Sequence, residues 1–317
     1  MEAIVLKAFV TGAAGFIGSN LVDRLLNLGH EVTGYDNFST GRDLNLEQAT
    51  KQSRFRLARA DVLDLDSLVS SMDGSDTVFH LCANADVRFG PEHPRKDLEQ
   101  NTIASFNVVE AMRRTGARRI AFSSTGSIYG EAEVFPTPED APFPIQTSLY
   151  GASKLAGEGL IQAYAESFGI RAFIFRFVSI LGERYSHGHV IDFYRQLREH
   201  PKHLHLLGDG GQRKSYLYVQ DCVSAVLTAL ENAPGQLVNI FNLGTDEYCE
   251  IKDSALWICE RLGLNPAMTF EGGKRGWIGD SPFIFLDTRR IRSLGWKPSL
   301  TIRQSVENTV DYLKGCA

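Results

Sequence analysis

The 317-residue sequence has no excess of basic residues, no Cys-x-x-Cys pair and no long uninterrupted apolar run. Lys and Arg number 33 against 38 Asp and Glu, a net charge of −5, which argues against a free-standing nucleic-acid-binding protein. The five cysteines are an odd number, which argues against a complete disulfide framework. The apolar stretch 172–181 contains Arg176 and is too short to span a membrane. We therefore expect a reduced, cytoplasmic protein without nucleic-acid or membrane partners.

Strand-like and helical patterns alternate along the first half of the chain. Short apolar runs predict strands at 3–10, 31–36, 54–61, 77–83, 118–124 and 171–177. Helical spacing of apolar residues predicts helices after the first strand, over 97–116 and over about 150–168. This alternation is typical of βαβ units, so the sequence predicts an α/β fold with a doubly wound parallel sheet.

A glycine-rich turn, TGAAGFIG, follows the first strand and opens the first helix. Gly12 allows the tight turn, Gly15 lets the backbone approach a pyrophosphate, and Gly18 permits close packing of helix and sheet. The free N–H groups of the helix then point at phosphate oxygens. Such spacing alone also fits an ordinary turn. The preceding strand, the following helix and an acidic residue 18 positions later together indicate a dinucleotide site.

That acidic residue is Asp36, at the end of the second strand in YDNFSTG. Its carboxylate can accept hydrogen bonds from the adenosine ribose and would repel a 2′-phosphate, so we expect NAD rather than NADP. Arg42 is assigned to a solvated loop. Asp61, after the third strand, either contacts the adenine or caps the next helix, and the sequence leaves both interpretations open.

A second chemical signal is the pair Tyr150 and Lys154, four residues apart on one helix face in SLYGASK. A phenol with an ordinary pKa near ~10 is a poor base at neutral pH. A nearby ammonium, helped by a cationic nicotinamide ring, is expected to favour the phenolate. Tyr248 and Lys252 share the spacing, but only the first pair follows a strand that ends in hydroxyls, FSST. The second pair is interpreted as a solvated face.

The motifs TGAAGFIG, YDNFSTG, HLCA, FSSTGSIYG, YGASK and GDGGQRKSYLYVQD resemble, in this order, those of the extended short-chain dehydrogenase/reductase family. Within it the chain is most similar to the nucleotide-sugar 4-epimerases of the UDP-glucose 4-epimerase group. The resemblance implies a Rossmann domain that carries NAD and a smaller domain that holds a nucleoside diphosphate sugar, expected to be a UDP-sugar. It also implies a homodimer formed by the helices at 97–116 and 150–168.

The resemblance implies roles for individual residues. Thr125 would contact the sugar O4, Tyr150 would be the base, and Lys154 would activate the tyrosine and bind the ribose. Cofactor contacts are implied at Gly12, Gly15, Phe16, Ile17, Gly18, Asp36, Asn37, Ser39, Thr40, Gly41, Asp61, Val62, Leu81, Ala83, Asn101, Ser123, Tyr150, Lys154 and Phe177. Substrate contacts are implied at Val87, Ser124, Thr125, Ser179, Lys214 and Arg275.

Three motifs depart from the family pattern. Gly126 and Ser127 stand where dehydratases have an acidic pair, so no acid is available there for elimination. Ser179 stands where most members have asparagine, and Lys214 stands where many have arginine, although Arg213 beside it offers a guanidinium. The histidines at 187, 189, 203 and 205 lack a completing ligand set, so we expect no metal site.

We therefore expect NAD-dependent epimerisation at C4 of a nucleoside diphosphate sugar through a transient 4-keto intermediate. A dehydratase, a decarboxylase, a net oxidoreductase and a non-catalytic NAD-binding scaffold are the alternatives. The sugar, whether a hexose, an N-acetylhexosamine or a uronate, stays open. The Rossmann domain is expected over 1–178, with 221–244 returning to it, and a smaller α/β substrate domain over 179–317.

Overall fold

The computed structural model describes residues 5–84, 90–143 and 145–316. Its main sheet has seven parallel strands in the order β11-β6-β5-β4-β1-β2-β3. The strands are Lys7–Thr11 (β1), Glu31–Asp36 (β2), Phe55–Arg59 (β3), Thr77–His80 (β4), Arg119–Thr125 (β5), Arg171–Phe177 (β6) and Val238–Leu243 (β11). The strand order reverses between β1 and β4, and ligands of such sheets bind at the carboxyl edge beside that point.

Helices cover both faces of this sheet, which confirms the predicted doubly wound α/β fold. They bury apolar side chains on both sides, in one cluster around Leu25, Phe79 and Phe173 and another around Val108, Ile120 and Ile161. The helices of the chain are Phe16–Asn27 (α1), Leu65–Met72 (α2), Pro94–Asp97 (α3), Ala104–Thr115 (α4), Leu149–Phe168 (α5), His189–Glu199 (α6), Val219–Asn232 (α7), Ile251–Leu262 (α8), Arg289–Arg292 (α9) and Ile302–Gly315 (α10).

Within the described ranges, three small sheets lie outside the main one. Ser179–Leu181 (β7) pairs with Tyr216–Tyr218 (β10), and His203–Leu206 (β8) pairs with Ala267–Phe270 (β13). Arg213–Lys214 (β9) lies between Cys249–Glu250 (β12) and Phe283–Ile284 (β14). A third apolar cluster joins α6, α8 and α10. No helix among the described residues is both long and apolar enough to span a bilayer.

The predicted helix over 97–116 differs from the observed one. The observed helix starts at Pro94, continues as a π-helix over Leu98–Ile103 and ends at Thr115. Hydrogen bonds from Asn101 and Thr102 to the neighbouring helix α5 accompany the wider turn. π-Helical turns often occur at functional sites, and this one lies against the helix that carries Tyr150.

A buried ion pair joins α5 to the sheet. Arg176 of β6 and Glu158 of α5 are at most 1% exposed, and their side chains approach to 2.8 Å. The Ser124 hydroxyl on β5 donates to Glu158 Oε1 at 2.5 Å. Arg176 also donates to the Tyr129 hydroxyl at 2.7 Å. Two strand ends and the helix α5 are thereby held in one arrangement.

We expect Glu158→Gln to destabilise the protein by about 3–5 kcal/mol, because it leaves the buried Arg176 guanidinium without a counter-charge. Urea unfolding measures this free energy. The matched control is Glu307→Gln, which removes an i,i+4 partner of Arg303 on the surface and should cost less than about 1 kcal/mol. Equal effects of the two substitutions would contradict the assignment.

Candidate active site

The glycine turn between β1 and α1 leaves space for a phosphate group. Gly12 has a φ of +70°, and a Cβ there would lie 2.8 Å from the Cys82 backbone nitrogen. A Cβ on Gly18 would lie 2.0 Å from the Gly12 carbonyl oxygen, so neither position accepts a larger residue. Gly15 precedes α1 without any side-chain cap, which leaves the first N–H groups of the helix to an anion. The turn therefore fits a dinucleotide pyrophosphate.

Asp36 lies beside this turn at the end of β2. Its two carboxylate oxygens accept hydrogen bonds from the backbone N–H groups of Ala14 and Phe38, both at 2.8 Å. Burial raises the pKa of Asp36, and these two hydrogen bonds oppose that rise. A Cβ on Gly41 would come within 2.9 Å of the carboxylate, so only glycine leaves this approach open. The carboxylate is thus held in place with lone pairs free for ribose hydroxyls, which fits NAD.

The helix-cap interpretation of Asp61 is wrong. The N-cap of α2 is Asp64, whose side chain accepts from the Ser67 N–H at 3.0 Å. Asp61 instead accepts from the Leu63 N–H at 2.9 Å and from the Asn37 side chain at 2.8 Å. It lies next to the Asp36 loop, where an adenosine contact was expected.

The other predicted cofactor residues fall into three groups around the carboxyl edge of the sheet. Phe16, Ile17 and Phe177 line a cavity between the main sheet and the later part of the chain. Asn37, Ser39 and Thr40 are exposed in the loop after β2, whereas Val62, Leu81, Ala83 and Ser123 are buried or half-buried near the ends of β3, β4 and β5.

The structure does not leave the Asn101 side chain free for a cofactor. Its amide nitrogen donates to the Ser153 hydroxyl at 2.8 Å, and its amide oxygen accepts from the Asn84 N–H at 2.9 Å. It thus links α5 to the loop that follows β4. Its expected place beside the cofactor site stays a prediction, but its hydrogen bonds are to protein groups.

The predicted catalytic hydroxyls meet in the cavity, whose volume is about 540 Å³. Thr125, the last residue of β5, lines this cavity together with Tyr150 and donates to Ser127 Oγ at 3.2 Å. Burial raises the pKa of Tyr150 to about 12, with the Thr125 hydrogen bond lowering it and Asp97 raising it further. The phenol is therefore held in its protonated form beside the threonine hydroxyl.

Lys154 lies one helical turn beyond Tyr150 and is buried. Its ammonium donates to the Ser123 carbonyl oxygen at 2.7 Å and lies 4.7 Å from the centre of the Phe122 ring. Burial lowers its pKa to about 8, opposed by Cys82 and Glu158. The expected lowering of the Tyr150 pKa by Lys154 is not found, because the described groups that act on the phenol are Thr125 and Asp97.

The predicted substrate residues have different environments. Ser124 and Ser179 line the cavity, although the Ser124 hydroxyl donates to Glu158. Lys214 also lines it, but its ammonium is bound to Asp280 at 2.6 Å. Val87 lies outside the described residues.

The two arginines proposed for the phosphates have other partners. Arg275 forms an ion pair with Glu131, and nearly half of its side chain is exposed. Its neighbours Gly276 and Trp277 line the cavity instead. The Arg213 guanidinium lies 3.9 Å from the centre of the Phe283 ring, which directs it into an aromatic cluster. Phosphate binding by either arginine would need a change of partner.

Sequence reasoning missed two polar groups at the far end of the cavity. His189, interpreted as part of a loop, is half-buried and lies 2.7 Å from the Ser254 hydroxyl, and desolvation lowers its pKa to about 3. Asp280 binds Lys214 and also accepts from the Gly276 N–H at 3.0 Å. No local spacing signals either one, because their partners are distant along the chain.

Residues 8–244 match the NAD dependent epimerase/dehydratase family. The chain belongs to this family. It is 31% identical to a UDP-glucose 4-epimerase from Mycolicibacterium smegmatis, over 98% of this chain and 99% of the relative. A UDP-glucuronic acid decarboxylase 1 from Xenopus tropicalis is 29% identical over 97% of this chain and 72% of its own length.

Solved structures agree with this membership of the epimerase/dehydratase family. A crystal structure of a UDP-galactose 4-epimerase has 36% identity and a TM-score of 0.88, covering 98% of this chain and 99% of that one. A UDP-glucuronic acid 4-epimerase from Bacillus cereus, in complex with UDP-glucuronic acid and NAD, has 29% identity and a TM-score of 0.90, covering 98% and 100%. The predicted family, the NAD cofactor and the enzyme class, an NAD-dependent epimerase, are confirmed.

The lowered pKa of Lys154 predicts how stability depends on pH. A lysine whose pKa is about 8 when folded and near ~10.4 when unfolded binds more protons in the unfolded state between these values. Stability should therefore rise with pH in this window. From pH ~7.5 to ~9.5 we expect the wild-type unfolding free energy to gain about 1–2 kcal/mol relative to Lys154→Met. Urea unfolding at both pH values measures this difference, and parallel curves for the two proteins would refute it.

Proposed function

We propose that this epimerase inverts C4 of a UDP-hexose or UDP-hexuronate through a transient 4-keto sugar. The observation that carries the proposal is that Thr125 and Tyr150 line the same cavity, which begins beside the glycine turn at Phe16 and Ile17. The related epimerases named above support the UDP-sugar as substrate. We also propose a reducing, cytoplasmic setting for the protein. The five free thiols are compatible with that setting.

Three side chains would perform the proton chemistry. NAD, when bound, supplies the acceptor and donor for the C4 hydride. Tyr150 would remove the O4 proton and later return it, while Thr125 would hydrogen-bond to O4 and hold it in place. Lys154 would compensate the charge that develops on the phenolate and bind the ribose, which requires its ammonium to be charged. The same proton is removed and restored, so substrate and product are isomers.

The surroundings of Gly126 favour epimerisation over elimination. A dehydratase of this family carries an acid at this position, where this chain has no side chain. A Cβ on Gly126 would lie 3.3 Å from Ile284, from Leu286 and from the Phe177 carbonyl oxygen. An acidic side chain there would therefore require these neighbours to shift by a few tenths of an ångström. Ser127, which follows, is too weakly acidic to protonate a leaving hydroxyl at neutral pH.

We further propose a division of work within the chain. Residues 1–178 and 221–244 would hold NAD, and the remainder of 179–317 would hold the nucleotide of the substrate. The cavity supports this division, since its lining runs from Ile17 and Tyr150 to Ser179, Lys214 and Trp277. Lys214 is the proposed phosphate contact, and Arg275 would join it after leaving Glu131.

We expect the purified protein to convert a UDP-sugar into its C4 epimer of equal mass, with NAD as the nucleotide released on denaturation. Tyr150→Phe should lower turnover by about 10²–10⁴-fold while retaining NAD, because the phenol transfers the proton. NMR and mass spectrometry of a panel of UDP-hexoses and UDP-hexuronates identify the products. A product lighter by water or carbon dioxide, or release of mainly NADP, would contradict the proposal.

We also propose a homodimer formed by α4, α5 and the preceding π-helix. Val109 and Ile161, although they lie on these helices, are fully buried within the subunit and do not belong to this surface. The exposed apolar side chains, between 40% and 51% exposed, are Leu98, Ile103, Phe106, Leu149 and Phe168. Tyr164 joins the two helices, with ring centres 6.2 Å from Phe106 and 5.0 Å from Phe168.

We expect Phe106→Glu to convert a dimer into a monomer, because it places a charge within an apolar contact between two copies. Light scattering coupled to gel filtration measures the mass. Leu256→Glu is the control, since Leu256 is 48% exposed on α8, away from this surface. A wild-type mass of one subunit at micromolar concentration would rule out the dimer.

A further inference from the structure

One buried carboxylate near the active site has no part in the proposed reaction. Asp97, the last residue of α3, is 1% exposed. Its Oδ1 accepts from the Asn84 side-chain amide at 2.8 Å. Its Oδ2 has no hydrogen-bond partner among the residues that the structure describes. A buried, half-satisfied carboxylate is costly, so its presence calls for an explanation.

Hydrogen bonds connect this carboxylate to the catalytic helix. Asn101 contacts Asp97 at 3.4 Å and donates from the same nitrogen to the Ser153 hydroxyl at 2.8 Å. The Ser153 hydroxyl in turn donates to the Tyr150 carbonyl oxygen at 2.8 Å. Asn101 Oδ1 also accepts from the Asn84 N–H at 2.9 Å. The connected groups therefore run from the loop after β4 to the backbone of the proposed base.

The π-helix explains how these groups come together. Its wider turns lie against the start of α5, where the Thr102 hydroxyl donates to the Ser153 carbonyl oxygen at 3.1 Å. Asn101 and Thr102, neighbours in sequence, both bind Ser153, one at its side chain and one at its backbone. The start of α5 is thereby held through both the side chain and the backbone of Ser153.

We propose that Asp97 is a positioning residue for the catalytic tyrosine: through Asn84 and Asn101 it fixes the first turn of α5 and so holds Tyr150 beside Thr125. This inference rests on the proposed function only in calling Tyr150 the base. The network itself consists of protein groups alone.

The charge of Asp97 also acts on the phenol. Asp97 raises the pKa of Tyr150, while the Thr125 hydrogen bond lowers it. Burial raises the pKa of Asp97, and Asn84 and Lys96 oppose that rise. An anion near the phenol favours the protonated form, so it would aid the return of the proton to the sugar oxygen.

The other titratable groups of the site face Lys154 rather than the phenol. They are His80 and Cys82, which come from β4 and the segment after it, and Glu158, which lies one turn further along α5. The pKa of the phenol should therefore respond to Asp97 more than to these groups.

Two substitutions separate position from charge. Asp97→Asn keeps an oxygen for Asn84 and removes the charge, whereas Asp97→Ala removes both. Glu99→Gln is the matched control, because Glu99 lies two residues after Asp97, within the π-helix, and pairs with the exposed Arg95. The phenol is titrated by ultraviolet difference spectra of the NAD-bound protein, with Tyr150→Phe as the reference. The kcat and KM for the UDP-sugar and the melting temperature are measured in parallel.

We expect Asp97→Ala to lower kcat about tenfold or more with an unchanged KM, and Asp97→Asn to restore most of the loss. Both should move the Tyr150 titration down by about one pH unit relative to Glu99→Gln. An unmoved titration, or a loss confined to the melting temperature or KM, would overturn the proposal. A shifted titration in a protein whose wild type shows no epimerase activity would support the role of Asp97 and refute the proposed function.

Discussion

The geometry of the active site depends on the buried ion pair between Arg176 and Glu158. Glu158 lies one turn after Lys154 on α5. The Ser124 hydroxyl that it binds lies between Ser123, which Lys154 contacts, and Thr125, the proposed partner of the sugar O4. A single carboxylate therefore fixes the distance between the strand that carries the threonine and the helix that carries the tyrosine and lysine. Removing water from such a pair is costly, and its many hydrogen bonds offset that cost.

Burial acts in opposite directions on the two ionisable groups of the site. It raises the pKa of Tyr150 to about 12 and lowers that of Lys154 to about 8. A phenolate and an ammonium are therefore both disfavoured by the protein alone, although they lie one helical turn apart. The Lys154 ammonium donates to the Ser123 backbone carbonyl oxygen rather than to the phenol. Charge that develops on the substrate and on NAD would therefore have to shift the balance towards the phenolate.

The sequence predicts those parts of the site whose signals are local. Glycines 12, 15 and 18, Asp36 and the Tyr150–Lys154 spacing each act within one turn, one strand end or one helix, and the structure brings them to one edge of the sheet. The sequence does not predict pairs of residues that are distant along the chain and come together only in the folded protein. Lys214 and Asp280 are 66 residues apart, and Arg275 and Glu131 are 144 apart, so a basic residue expected at a phosphate is instead bound to a carboxylate. Likewise, nothing in 97–116 signals the π-helix, because the hydrogen bond that accompanies it joins Asn101 to Ser153 of another helix.

The crowding around Gly126 has a consequence for how members of this family diverge. The three groups that a side chain at this position would meet come from β6, from β14 and from the segment directly after β14, which lie far from Gly126 in sequence. A side chain at 126 would require Ile284, Leu286 and the Phe177 carbonyl to shift by a few tenths of an ångström. The residue at 126 is therefore coupled to the packing of distant segments, and we expect elimination chemistry at this position to arise together with changes around Ile284 and Leu286.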